Sequence, residues 1–290
     1  MHTEGSDMKP KAAKQEAAPI VEYTHRVAIV TGGTRGIGLG ISQALLEKGM
    51  HVLAIYRSSR EEALEAENML AQVARKAGAE LRVVQGDVGS KTEAERLVNL
   101  AGETWGRVDV LVNNAGIFDF SFLEEMTEEF FDHIIRVNLK SMVFAMQAVL
   151  PWMKRNRYGR IVNATSISGQ LADVGLTAYA CSKAGVNQLT RVCSGELAPY
   201  GITVNAYAPG IIHTGMTDAM IRERGDRQVK QIPAGYFGRP EDVAALVAFL
   251  CSEESAYVTG EIIGVDGGMM KVQNPGRAYE FAATREDSSK

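Results

Sequence analysis

Tyr179 and Lys183 stand four residues apart in Thr177-Ala178-Tyr179-Ala180-Cys181-Ser182-Lys183, a stretch with no residue that forbids a helix. At that interval two side chains project from one helical face about one turn apart. A free phenol titrates near pH 10, and an ammonium group beside it favours the phenolate, making it a usable acid or base closer to neutrality. Proton transfer is the chemistry such a pair suits. The same spacing also arises by chance, so it needs companions.

The second candidate is the loop Thr31-Gly32-Gly33-Thr34-Arg35-Gly36-Ile37-Gly38, between a β-branched run and a helix-like run from Ile41 to Lys48. Glycines there permit the turn and admit a pyrophosphate against bare backbone, while the helix N-terminus offers aligned N–H donors to the anion. A ligand-free turn is the plainer alternative, but the loop follows the first strand of a repeating βαβ series, where a dinucleotide fingerprint belongs. Where an acidic residue would meet a ribose 2′-hydroxyl, the chain has Tyr56-Arg57-Ser58-Ser59-Arg60. Arg57, together with Arg35, suits a 2′-phosphate, which favours NADP(H) over NAD(H). The competing reading makes Arg57 and Arg60 ordinary solvated cations.

These groups need a frame, and the pattern supplies one. Runs at Val27–Thr31, Val52–Tyr56, Arg82–Gln85, Val108–Asn113, Arg160–Ala164, Thr203–Ala206 and Glu261–Val265 are continuously apolar, as strands covered on both faces are. Helical stretches alternate with them; in Glu61–Ala77 the residues Leu64, Ala66, Leu70, Val73 and Ala77 share one face. The predicted architecture is an α/β, doubly wound parallel sheet of seven strands with helices on both faces. It occupies residues 25–270 as a single domain, between a flexible arm at 1–24 and a polar tail at 271–290.

Composition narrows the function. The chain has 290 residues, 46% hydrophobic and 23% charged, with a net charge of −4, which gives no electrostatic reason to expect a nucleic-acid partner. No apolar run approaches the roughly 18 residues of a membrane span, and residues 1–24 lack a secretion-signal pattern, so a cytoplasmic protein with no membrane partner is expected. Cys181, Cys193 and Cys251 form neither a disulfide framework nor a metal-ligand pattern, so no metal is expected.

Five motifs in order carry a family resemblance: the TGGTRGIG loop, Asn113-Asn114-Ala115-Gly116, Asn138 in Arg136-Val137-Asn138-Leu139, Ser166 in Ala164-Thr165-Ser166-Ile167-Ser168-Gly169, and Tyr179 with Lys183. Ser166 follows Asn138 by 28 residues and precedes Tyr179 by 13. From Arg26 to about Met270 the chain resembles the short-chain dehydrogenases/reductases, which implies a Rossmann-type fold. The resemblance implies hydride transfer between a nicotinamide and a carbonyl carbon, with Tyr179 delivering the proton and Ser166 orienting the carbonyl. It gives Lys183 two tasks, holding the nicotinamide ribose and keeping Tyr179 acidic. Asn138 takes the place that holds a proton-relay water. Ser168 is a rival to Ser166. The same resemblance extends the cofactor set to Asp87, Val88, Asn114, Ala115, Gly116, Pro209, Gly210, Ile212 and Thr214, and puts Asn113 on the adenosine side.

Substrate contacts should come from about Ile117–Phe122, Gln170–Leu176 and Ile211–Gly235, whose Phe118, Phe120, Leu171, Val174 and Met216 suggest an apolar pocket. Arg222, Arg224 and Arg227 read as solvated lid cations, and His213 as a packing residue without an assignable partner. Whole-chain similarity is to the 3-oxoacyl carrier-protein reductases, through NATSISG, GITVNAYAPG and GEIIGVDGG. Arg157 matches one of their two carrier-binding arginines, expected at the pocket mouth; the other position is Tyr200, which argues against carrier-protein recognition. A small-molecule carbonyl or alcohol substrate is therefore expected, with a sugar, polyol or secondary-alcohol dehydrogenase as the alternative and a non-catalytic dinucleotide sensor as a remote one. Apolar residues on several faces of Glu128–Lys154 and Ala178–Ala198 predict a homotetramer.

Overall fold

A computed structural model of the chain describes residues 25–171 and 173–287. The expected arm at 1–24 lies outside the described residues. Seven strands form one parallel sheet: β1 (Val27–Thr31), β2 (His51–Tyr56), β3 (Leu81–Gln85), β4 (Val110–Asn113), β5 (Gly159–Ala164), β6 (Ile202–Pro209) and β7 (Ile262–Val265). Their order across the sheet is β3-β2-β1-β4-β5-β6-β7, so the chain reverses direction between β1 and β4. Ligands of such sheets sit outside the strand C-termini at that reversal.

Successive strand residues face opposite sides, and both sides are covered. Ala28, Val30, Val52, Ala54, Val110 and Val112 pack under α1 (Gly36–Glu47), α2 (Arg60–Ala77) and α8 (Pro240–Leu250). Val27, Ile29, Leu53, Leu111 and Ile161 pack under α3 (Lys91–Trp105) and α5 (Ser141–Asn156). This two-sided burial explains why the strands read as continuous apolar runs. The α3–α5 contact is tight: a Cβ on Gly102 would overlap the Trp152 ring.

Two helical segments differ from expectation. The expected single helix over Glu128–Lys154 is α4 (Glu128–Ile135) and α5, joined by a π-helical turn at Arg136–Lys140 that holds Asn138. By length and composition Glu128–Asn156 could cross a membrane, but Met142, Ala145, Met146, Val149 and Met153 are spent on packing within the fold. The tail, without a usable period in sequence, contains α9 (Gly276–Asp287). The remaining helices are α6 (Thr177–Leu197) and α7 (Asp218–Val229).

Candidate active site

The glycine loop is shaped by close approaches and held by side chains, among them Ser42, whose hydroxyl donates to the Gly33 carbonyl at 2.9 Å. Gly32 and Gly36 have φ of +63° and +49°, and a Cβ on Gly38 would overlap the Gly32 carbonyl. Asn114, just past β4, clamps the loop: its Nδ2 donates to the carbonyls of Thr31 (2.9 Å) and Gly32 (3.1 Å). Its Oδ1 accepts from the buried Tyr207 hydroxyl at 2.9 Å. Helix α1 then starts at Gly36 with no side-chain cap and no acidic residue in its first turn, which leaves its N–H donors and positive dipole end to an anion.

A cleft of about 540 Å³ runs along the strand ends from this loop to Tyr179. Its walls bring together Gly32, Thr34, Arg35, Gly36, Ile37 and Gly38 with Tyr56, Arg57 and Ser58 from the end of β2. Asp87 and Val88 follow β3, Asn114, Ala115 and Gly116 follow β4, and Tyr179, Lys183, Pro209 and Thr214 complete it. The donor set fits a dinucleotide, with bare glycine backbone and a helix N-terminus where phosphates would lie.

Not every expected residue faces the cleft. Gly210 pairs through its N–H with Val265 (2.9 Å). The Ile212 carbonyl accepts from the Thr217 hydroxyl (2.6 Å), and its side chain is buried. Both shape the loop around Thr214 from behind. Asn113 turns inward and donates to Asn163 Oδ1 at 2.9 Å, so it does not line the adenosine side.

Glu62 was not anticipated. It lies in the first turn of α2, lines the cleft, and approaches Arg35 at 3.6 Å. Helical geometry carries it back to the loop, and only its place three residues past Ser59, where α2 begins, could have signalled this. Thr165 also lines the cleft and donates to the Lys183 carbonyl at 3.0 Å.

At the far end, α6 presents Tyr179 and Lys183 one turn apart. Lys183 is fully enclosed, and its Nζ donates to the Ala164 carbonyl at 2.8 Å. Burial lowers its pKa to about 8. Burial raises the Tyr179 phenol, and a hydrogen bond with Ser166 opposes that rise. Desolvation is the dominant influence on Tyr179, and the Lys183 ammonium expected to acidify it is directed at the Ala164 carbonyl. The two candidate serines are linked: the Ser168 backbone N–H donates to Ser166 Oγ (3.1 Å).

Asn138 is buried in the π turn and braces two elements. Its Oδ1 accepts from Ile117 N–H (2.8 Å), and its Nδ2 donates to the Ile117 carbonyl (2.9 Å) and Ser182 Oγ (3.1 Å). A π turn inserts a residue into the helical ladder and re-aims the side chains there, a recurring device at functional sites.

Residues 32–270 match the family described as "Enoyl-(Acyl carrier protein) reductase". The 3-oxoacyl-[acyl-carrier-protein] reductase FabG of Staphylococcus epidermidis is 41% identical over 245 residues, covering 84% of this chain and 99% of that protein. The chain belongs to the short-chain dehydrogenase/reductase family. The FabG of Thermotoga maritima is 39% identical over 248 residues, covering 84% and 98%. Among solved structures, levodione reductase superposes with a TM-score of 0.81 at 30% identity, covering 86% of this chain and 99% of that one. The crystal structure of gox2181 gives 0.79 at 34%, covering 85% and 96%.

Around this reductase-family core, the substrate loops pair with each other: Ser121 N–H donates to the Gly175 carbonyl (3.0 Å), and Phe118 meets Tyr179 edge-on at 5.1 Å. Phe120 and Val174 stay exposed, so the expected apolar pocket is an open groove. His213 has a partner after all, Asp218 Oδ1 at 3.0 Å, in an exposed pair. Arg157 is not at the pocket mouth of its own chain. With Tyr200 it lies beside the starts of β5 and β6, whereas the cleft opens at the strand ends. Arg157 donates to the Pro199 carbonyl at 3.1 Å, and Lys154 covers the Tyr200 ring at 4.1 Å.

Proposed function

We propose that the chain is an NADPH-dependent carbonyl reductase that takes a 3-oxoacyl-type or small ketone, with Tyr179 as general acid. The observation that carries this reading is the single cleft that joins the glycine loop to Tyr179 and Lys183, which α6 sets one turn apart. The reduced nicotinamide, once bound, supplies the hydride for the carbonyl carbon. Ser166 and Tyr179 then hold the substrate oxygen between two hydroxyls. Tyr179 gives it a proton as negative charge gathers there, and the buried Lys183 ammonium stabilises the phenolate left behind. Tyr179 enters the step protonated, and because burial raises its pKa, the nearby Lys183 ammonium must offset the cost of losing that proton. Asn138 holds Ile117 and Ser182 in place around it.

The preference for NADPH rests on Arg35, Arg57 and the absence of a carboxylate at Tyr56. The names of the FabG relatives support a 3-oxoacyl substrate. The position of Arg157 argues that a carrier protein docked there would not present its acyl chain to the cleft of the same chain. We further read the chain as a cytoplasmic homotetramer, supported by exposed Val192 on α6, Tyr257 just before β7, and the free outer edge of β7.

The test is a panel of 3-oxoacyl thioesters on carrier protein and on a pantetheine analogue, diketones, sugars and secondary alcohols, followed by nicotinamide absorbance with each cofactor. Reduction of a 3-oxoacyl or simple ketone substrate with NADPH is expected, with less than about a hundredfold gain in kcat/KM from the carrier. Faster turnover of a sugar or polyol would install the alternative reading. NADPH binding with no turnover of any substrate would make the protein a dinucleotide sensor.

A further inference from the structure

The C-terminal segment lies beyond residues 32–270, the stretch shared with the family, yet it reaches back onto the substrate side of the molecule. Tyr279 on α9 donates its hydroxyl to the Pro233 carbonyl at 2.7 Å. The same hydroxyl lies where a Cβ on Gly235 (φ +79°) would come within 2.7 Å of it. On the opposite side this segment rests on the turn after β7: Ala234 N–H donates to the Gly267 carbonyl at 3.0 Å, and a Cβ on Gly268 would stand 3.1 Å from Pro233. The stretch Ile232–Gly235, which follows lid helix α7, is therefore gripped between the β7 turn and Tyr279.

The tail also makes one wall of a second groove of about 530 Å³. The opposing walls are Leu171, five residues past Ser166, Lys230 with Gln231 at the end of α7, and Met269 after β7; the tail contributes Val272, Asn274, Arg277 and Glu280. Leu171 is anchored to the turn beside the catalytic serine through its N–H to the Ile167 carbonyl, at 2.9 Å. Leu171 and the Lys230–Gln231 pair thus come from the loops that border the active site. Leu171, Met269 and Val272 are apolar, while Gln231, Asn274, Lys230, Arg277 and the Glu280 carboxylate offer hydrogen-bonding ends.

We propose that residues 271–287 complete the substrate site of this enzyme: the groove takes the distal part of a long substrate, an acyl chain ending in hydrogen-bonding groups, and Tyr279 is the positioning residue that holds the lid end against it. The proposal rests on the carbonyl-reductase reading and names the substrate class that it leaves open. Small ketones, which end at Ser166 and Tyr179, do not reach the groove.

The test compares the unmodified protein, Tyr279→Phe, and a chain ending at residue 273. Substrates are a 3-oxoacyl thioester of a pantetheine analogue and a short diketone. Loss of one hydroxyl is expected to raise KM for the long substrate by about fivefold, with kcat and the diketone kinetics within about twofold; the truncation should raise it further. Equal losses for long and short substrates, or none, would overturn the proposal. Calorimetric titration with the long 3-hydroxyacyl product reads the groove without turnover. Weaker product binding by Tyr279→Phe supports the proposal even if the carbonyl-reductase reading fails, and unchanged binding refutes it. Tyr279→Phe removes one surface-accessible hydrogen bond, so the test survives a truncation that does not fold.

Discussion

Replacing Lys183 by methionine should stabilise the protein while removing its activity. Lys183 is 3% exposed, and its ammonium has one protein acceptor, the Ala164 carbonyl at 2.8 Å. Burial lowers its pKa from 10.5 to about 8, which at 1.36 kcal/mol per tenfold corresponds to about 3 kcal/mol that the charged form costs the folded state. That cost is fully present below about pH 8, where the side chain is protonated in both folded and unfolded chains. Between about pH 8 and 10.5 the unfolded chain binds more protons than the native one, so the stability of the unmodified protein rises with pH. Methionine has similar length and no charge but leaves the Ala164 carbonyl unpaired, at a cost of about 1–2 kcal/mol. The net expectation is a gain of about 1–2 kcal/mol near neutral pH, or a Tm rise of roughly 3–6 °C for a domain of this size. Urea unfolding of both proteins from about pH 7 to about pH 10 measures it, and the advantage of Lys183→Met should shrink steadily across that range. A variant less stable than the parent at neutral pH, or a difference that ignores pH, would refute the reasoning.

Tyr179→Phe should keep NADPH affinity in a fluorescence titration and lose at least about 10²-fold in kcat if the phenol is the proton donor, as proposed. Near-normal turnover would remove Tyr179 from that role. Tyr56→Asp with Arg57→Ala should shift preference toward NADH, whereas Glu62→Gln, which frees Arg35 from its exposed ion pair, should improve NADPH affinity by about twofold to fivefold; kcat/KM with both cofactors decides each. Asn114→Ala removes the clamp on the glycine loop and strands the buried Tyr207 hydroxyl, so thermal unfolding should show a loss of about 2–4 kcal/mol, roughly 5–15 °C in Tm, together with weaker cofactor binding.

The sequence alone was enough for the sheet, because its central strands are covered on both faces and so are mostly apolar, while the edge strands β3 and β7, without a buried residue, are short runs between turn signals. All seven strands appear where expected, with Val27–Thr31 matching at both ends and Ile202–Pro209 running three residues further than its apolar run. The ordered motifs likewise brought together most of the cleft, since each sits at a strand end and a parallel sheet puts those ends side by side. What the sequence left undecided are the places where a side chain's partner is far away in the chain. The π turn around Asn138 follows from bonds to Ile117 and Ser182, which no periodicity contains. Glu62 reads as a solvated helix residue until α2 folds it back against Arg35. His213 finds Asp218, and Arg157 proves to lie at the strand-start end of the sheet, opposite the cleft, a distinction that motif matching cannot make. Lys183 is the sharpest case: the sequence places it one turn from Tyr179, but only the packed structure buries it, and desolvation rather than the tyrosine sets its proton affinity. Helix α9 lies in a segment without a usable period, and one contact that ties it to the rest of the chain is the hydrogen bond from Tyr279 to the Pro233 carbonyl, 46 residues earlier.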